Sequence, residues 1–249
     1  VGQSDDVNDY HRIAYIKNAQ ISWKTGKLTL NGGLISTTQF NMQEKFWGYR
    51  YIMKSFQDLY KFGNSADLGI SASYQLANWI TADVLIANGE GYKKIQKKDG
   101  LLYGLGATLT PVKGWFFRVY YGLNEGTSDE MENKQNLATF IGYKRNNFFI
   151  GAEYNLYQND GNKKDADLYG FSIYGSARLN TTTDVYLRYD NLSSKDNWNE
   201  AKDQEALIAG LQFQLGKYVK IAPNFRMNKP AMKGSENRYM GYISCYFGL

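Results

Sequence analysis

One histidine and one cysteine are all that this sequence offers to histidine-assisted, redox or zinc chemistry. His11, flanked by Asp9, is the single candidate for an acid–base partner, and no nucleophile can be placed beside it from the sequence. A remote hydrolase reading would rest on that residue alone, so the chain does not read as an enzyme. Cys245 excludes an intramolecular disulfide and every multi-cysteine metal motif. The acidic clusters Asp160, Asp165, Asp167 and Asp196, Glu200, Asp203 lack the spacing of a calcium loop and read as solvated surface. No glycine-rich phosphate loop, zinc signature or dinucleotide fingerprint occurs. The expected catalytic, metal and cofactor sets are therefore empty. A net charge of +5 over 249 residues is too small to mark a nucleic-acid stripe. What the chain has in quantity is fixed charge and aromatic surface, with 21% charged residues and 21 tyrosines. Side chains of that kind, set around a pore, select and slow ions.

The elements that would position them are strands. Apolar and polar residues alternate with period 2 from end to end. Leu68, Ile70, Ala72, Tyr74 and Leu76 alternate with Asp67, Gly69, Ser71, Ser73 and Gln75; the pattern returns at 101–110, 148–157 and 207–215. Such runs predict about thirteen strands, most of ~9–11 residues, the length a tilted strand needs to cross a bilayer. They cover 12–24, 28–37, 65–76, 79–88, 101–111, 115–122, 137–144, 148–157, 167–180, 183–191, 205–215, 218–227 and 237–249. No uncharged apolar stretch is long enough for a transmembrane helix.

Short and long connections alternate strictly. Tight turns are centred near 26, 77, 113, 146, 181 and 217; long polar loops fill 38–64, 89–100, 123–136, 158–166, 192–204 and 228–236. Repeated hairpins of this kind make an antiparallel up-and-down β-barrel. Thirteen strands enclose too wide a lumen to fill with Gly, Ser and Asn, so the apolar face is expected to point outward into lipid. Trp23, Trp79, Trp115, Phe148 and Tyr218 each sit within two residues of a tight turn. They are expected to form an aromatic girdle at one membrane interface.

Particular residues then suggest a family. The stretches 33–40 (GLISTTQF), 43–51 (QEKFWGYRY) and 64–74 (NSADLGISASY), with the Asn-Gly turn at 88–92 (NGEGY), resemble bacterial outer-membrane porins. The likeness is to the phosphate-selective porin O/P group, in its Bacteroidetes variety, and in detail it spans about residues 28–110. Tyr239, Gly241, Ile243, Cys245 and Phe247 look like the lipid side of a terminal assembly strand, although the chain ends in Leu249 and not in an aromatic residue. The resemblance implies that the long first loop folds into the lumen and narrows it.

Within that loop Phe46, Tyr49, Met53, Phe56 and Tyr60 recur at helical spacing, and one amphipathic helical element is predicted over 44–61. Lys45, Arg50, Lys54 and Asp58 are the candidate constriction residues. On the wall, the alternation turns Arg118, Lys144, Arg178, Arg188, Lys220, Arg226 and Arg238 inward together with Asp67, Asp83, Glu153, Asp184 and Asp190. Most of these should pair across strands, leaving Arg50 and Lys54, with Arg118 opposite, as the unpaired cations near the narrowest point. Lys17 falls on the nominal lipid face.

These expectations amount to a single outer-membrane barrel domain over 1–249, a general diffusion pore with a weak preference for anions. Its partners would be outer-membrane lipid, lipopolysaccharide and small anionic or neutral solutes, with a homotrimer or a complex with other outer-membrane proteins possible and no nucleic acid. The alternative is a non-conducting barrel that docks a surface lipoprotein or a secretion partner. Val1 to Asp9 is polar and acidic and shows no leader. Tight turns placed in the periplasm put residues 1–11 on the extracellular side. An even strand count then calls for one further upward strand before Val1, fourteen in all.

Overall fold

A computed structural model describes residues 2–3, 12–13, 15–93 and 100–248. Its main body is a 13-stranded sheet in which each strand pairs with its sequence neighbour. The strands are β1 (Ala19–Thr25), β2 (Leu28–Ser36), β3 (Ala66–Ala77), β4 (Ile80–Ala87), β5 (Leu102–Leu109), β6 (Trp115–Asn124), β7 (Lys134–Arg145), β8 (Phe148–Gln158), β9 (Leu168–Arg178), β10 (Thr183–Ser194), β11 (Gln204–Leu215), β12 (Val219–Pro230) and β13 (Arg238–Phe247). All pairs are antiparallel. A separate two-residue pairing joins Gly2–Gln3 to Arg12–Ile13. No helix among the described residues is long and apolar enough to cross a membrane.

The register keeps the alternation coherent from strand to strand. Arg118, Phe140, Glu153, Ser172, Asp190 and Ala206 stand opposite one another in a row across β6 to β11. All six lie on the inner face, because a strand turns successive side chains to opposite sides. The outer face carries the apolar set, and it is bare: Ile21 is 82% exposed, Ile243 74% and Leu105 58%. A sheet this apolar on its uncovered side is made for an apolar solvent.

The buried core lies on the inner face, beneath the long loop 37–65. Phe46, Trp47, Tyr49 and Ile52 of the loop pack with Phe140, Tyr174, Tyr186 and Ile208 of the wall. The loop also reaches both ends of the sheet. The ring of Tyr51 lies 5.6 Å from that of Tyr246 on β13. On the other side, Lys17, just ahead of β1, stands close enough to Arg50, Glu44, Asp58 and Lys54 to feel their charge. The sheet therefore curls around the loop in the manner of a barrel wall.

Two expectations are corrected here. The first strand begins at Ala19, not at residue 12, because its ladder with β2 ends at the Ala19↔Leu34 pair. There Gly33 adopts φ +112°, and its backbone closes so tightly on the Ala19 carbonyl that a Cβ would sit 2.6 Å from it. Lys17 consequently lies off the strand and beside the loop's charges, not on the lipid face. The other strand boundaries follow the predicted runs within a few residues. No pairing joins β1 to β13 among the described residues. The expected fourteenth strand and the side on which residues 1–11 lie fall outside what the structure describes.

Candidate pore site

The loop folds as two short helices where one was expected over 44–61. Helix α1 (Asn41–Trp47) stops at Gly48, whose left-handed φ of 71° lets its N–H close on the Glu44 carbonyl. Residues 48–55 run irregularly before α2 (Phe56–Leu59). The apolar spacing was real, but Gly48 divides it, and each piece buries its own rings.

Glycines of the inner wall form the sockets for these rings. Phe46 stands edge-on to Phe140 at 5.0 Å, to Phe149 at 5.4 Å and to Phe116 at 5.5 Å. A Cβ on Gly142 would come within 2.6 Å of the Phe46 ring. A Cβ on Gly170 would come within 2.5 Å of the Phe56 ring. Hydrogen in place of a side chain is what allows the loop to approach so closely. Gly142→Val should therefore displace Phe46 and destabilise the folded protein by about 1–3 kcal/mol through overpacking. Gly241→Val, on the open outer face where an added Cβ meets nothing within 4 Å, should be near neutral. Comparing the unfolding midpoints of the two variants checks the socket.

Three wall arginines hold the loop by its backbone. Arg118 donates through Nη2 to the Thr38 carbonyl at 2.6 Å. Arg188 donates through Nη1 to the Lys54 carbonyl at 2.6 Å. Arg226 donates through Nη2 to the Ile52 carbonyl at 2.9 Å. An irregular segment has no ladder for its carbonyls, and the guanidinium fork supplies donors in fixed directions. Two of the three are neutralised from behind. Arg118 is bidentate to Asp83 at 2.7 and 3.0 Å, and Arg188 to Asp190 at 2.8 and 2.7 Å. Burial and then the nearby Asp190 hold the Tyr60 phenol well above its ordinary pKa. It stays a donor, and its hydroxyl reaches Asp190 Oδ2 at 3.3 Å.

The loop's charged side chains lie on its more exposed face. Arg50 bridges Glu44 and Asp58, both at 2.6 Å, and Lys54 meets Asp58 at 3.2 Å, while Lys45 is exposed. Burial opposes the charge of Arg50, but Glu44 and Asp58 more than offset it, so its pKa is raised. Arg178 pairs with Asp184 at 3.1 Å, and Lys144 is exposed beside a tight turn. The expectation of free cations at Arg50, Lys54 and Arg118 is thus corrected: all three are ion-paired. Lys45, Lys144, Lys220 and Arg226, by contrast, are among the described cations that have no carboxylate within ion-pair distance. Alternation showed which face each cation takes, but not whether an acid lies within reach.

Trp23, Trp79, Trp115, Phe148 and Tyr218 are all exposed beside their turns. Cys245 is exposed on β13, and His11 lies outside the described residues. Gln43 and Gln57 of the loop and Asn155 and Ser172 of the wall, none of them expected as site residues, are fully buried between loop and sheet. Asn155 and Ser172 had their inward parity as a signal; Gln57 falls on the polar side of the predicted loop helix, which gave no sign that it is buried.

No family model matches the chain, and no curated protein matches it by sequence. Solved structures do. OprB of Pseudomonas putida superposes with a TM-score of 0.72 at 9% identity, over 92% of this chain and 71% of that one. The fold is that of the porins. OmpF of Salmonella typhi, solved with daunomycin, gives a TM-score of 0.66 at 11% identity, over 88% of this chain and 74% of that one. A triple mutant of the Rhodopseudomonas blastica porin gives 0.60 at 16% identity, over 92% and 75%. These neighbours are bacterial outer-membrane porins.

Proposed function

We propose that this chain forms a water-filled channel in a bacterial outer membrane, through which small solutes and ions diffuse passively. The observation that carries the reading is the inversion of the sheet: bare apolar residues outside, charge and amides inside. Trp23, Trp79, Trp115, Phe148 and Tyr218 serve as the girdle at the tight-turn interface, where amphipathic rings are at home. Residues 38–64 narrow the lumen, with Lys45, Arg50, Lys54 and Asp58 facing the passage. Lipid and lipopolysaccharide surround the barrel, and a homotrimer is its natural assembly. The resemblance of residues 28–110 supports placement near the phosphate-selective O/P porins of Bacteroidetes.

A weak anion preference follows from the charges that remain unpaired. Lys45, Lys220 and Arg226 face the passage without carboxylates at hand, whereas Arg50 and Lys54 are locally neutralised. Screening over ~8 Å keeps the preference small. Strong phosphate selectivity would need a close basic ladder, and the paired arginines do not make one. Reversal potentials under a potassium chloride gradient test this. The native channel should favour chloride slightly, and Arg50→Glu with Lys54→Glu, which leaves Glu44 and Asp58 unopposed, should reverse the sign. A cation-selective native channel, or a double variant with unchanged reversal potential, would refute the charge assignment.

A further inference from the structure

We infer that the inner face of β12 and β13 is a recognition strip for aromatic carboxylates and similar planar organic anions, an inference that rests on the channel reading above. Strand β13 turns Tyr242 and Tyr246 inward, opposite Asn224 and Lys220 of β12. Four positions apart on one face, the two rings are spaced by about 13 Å along the strand. They are 44% and 43% exposed, whereas Tyr174 and Tyr186 on the same inner surface are buried under the loop.

Each exposed ring has a cation over one of its faces. The Arg226 guanidinium lies over the Tyr242 ring, 4.3 Å from its centre, while donating to Asn224 Oδ1 and the Ile52 carbonyl; the Lys220 ammonium lies over the Tyr246 ring, 5.6 Å from its centre. Neither cation has a carboxylate within ion-pair distance among the described residues. Tyr51 of the loop completes the strip, its ring 5.6 Å from that of Tyr246 and its hydroxyl fixed on Gln212 Oε1 at 2.8 Å. A tyrosine ring left open in a polar lumen is apolar surface that a flat solute can cover. A cation held against the opposite face of that ring, with no carboxylate of its own, supplies the complement for an anionic substituent on that solute. An aliphatic acid would meet only the cation, and a neutral aromatic only the ring.

Benzoate and cyclohexanecarboxylate separate these contributions, having the same charge and similar size but only one π face. The full chain in planar bilayers is titrated with each acid and the block of chloride current recorded; a second titration follows binding to the purified protein in detergent. Benzoate should reach half-block at about one fifth of the concentration of its saturated counterpart, a ratio that one aromatic pair supplies. Tyr242→Leu with Tyr246→Leu should bring the ratio of the two half-block concentrations to one. Lys220→Gln should weaken both acids alike. Equal block by both acids on the unaltered chain would overturn the proposal, as would a preference that survives the double leucine variant. Conduction without discrimination removes the strip and leaves the channel. Discrimination in detergent without conduction removes the channel and leaves the strip.

Discussion

Arg188→Ala should lower the stability of the folded barrel by about 3–5 kcal/mol, the cost of leaving a buried charge unpaired. Both side chains of the Arg188–Asp190 pair are 1% exposed. Alanine would strand the Asp190 carboxylate with only the Tyr60 hydroxyl to answer it. It would also remove the donor to the Lys54 carbonyl and the cation 5.4 Å from the Trp47 ring. The loop would lose its central attachment, and single-channel traces should become noisier as residues 48–55 move. Arg188→Met together with Asp190→Leu removes both charges and should recover most of the stability but not the quiet trace, since the Lys54 carbonyl still lacks its donor. Unfolding midpoints in denaturant and open-channel noise separate the two effects. A loss below about 1 kcal/mol in the single variant would mean that water reaches Asp190 and that the clamp is not closed.

Replacing residues 44–60 by a short Gly-Ser link should raise conductance several-fold. The deleted segment contains all of α2 and most of α1, with the rings of Phe46, Trp47 and Phe56 that fill the lumen against β6 to β11. The strands do not depend on it for their ladders, since each is hydrogen-bonded to its sequence neighbours. A folded barrel should therefore persist on gels without boiling, at a lower transition temperature because Phe140, Tyr174 and Ile208 lose their cover. Unchanged conductance would place the passage elsewhere and remove the loop from the account of narrowing.

The strands were legible because a sheet wet on one side and apolar on the other writes its period directly into the residues. Boundaries failed only at β1, where the ladder ends at the Ala19↔Leu34 pair, next to the positive φ of Gly33 in the neighbouring strand. The loop was visible by its length and aromatic spacing, but its division at Gly48 depends on one backbone angle. The wall glycines were readable as places of close approach; which ring enters each of them was not. Least legible were the arginines. Parity gives the face of Arg118, Arg188 and Arg226, but their acceptors are main-chain carbonyls of residues 38, 54 and 52, and a carbonyl has no letter in the sequence. Hence the cations expected to be free are ion-paired, whereas Lys220 and Arg226 on β12 have no carboxylate partner, and Arg226 donates to the Ile52 carbonyl and Asn224.

In the proposed channel the lumen beside the loop is open to water from end to end. Single-channel recording of the purified, unaltered chain in a planar bilayer tests it directly. Discrete conductance steps that rise with salt concentration and persist without any added partner are the expected result. Insertion of a folded, heat-modifiable barrel that gives no steps at any salt concentration would contradict it.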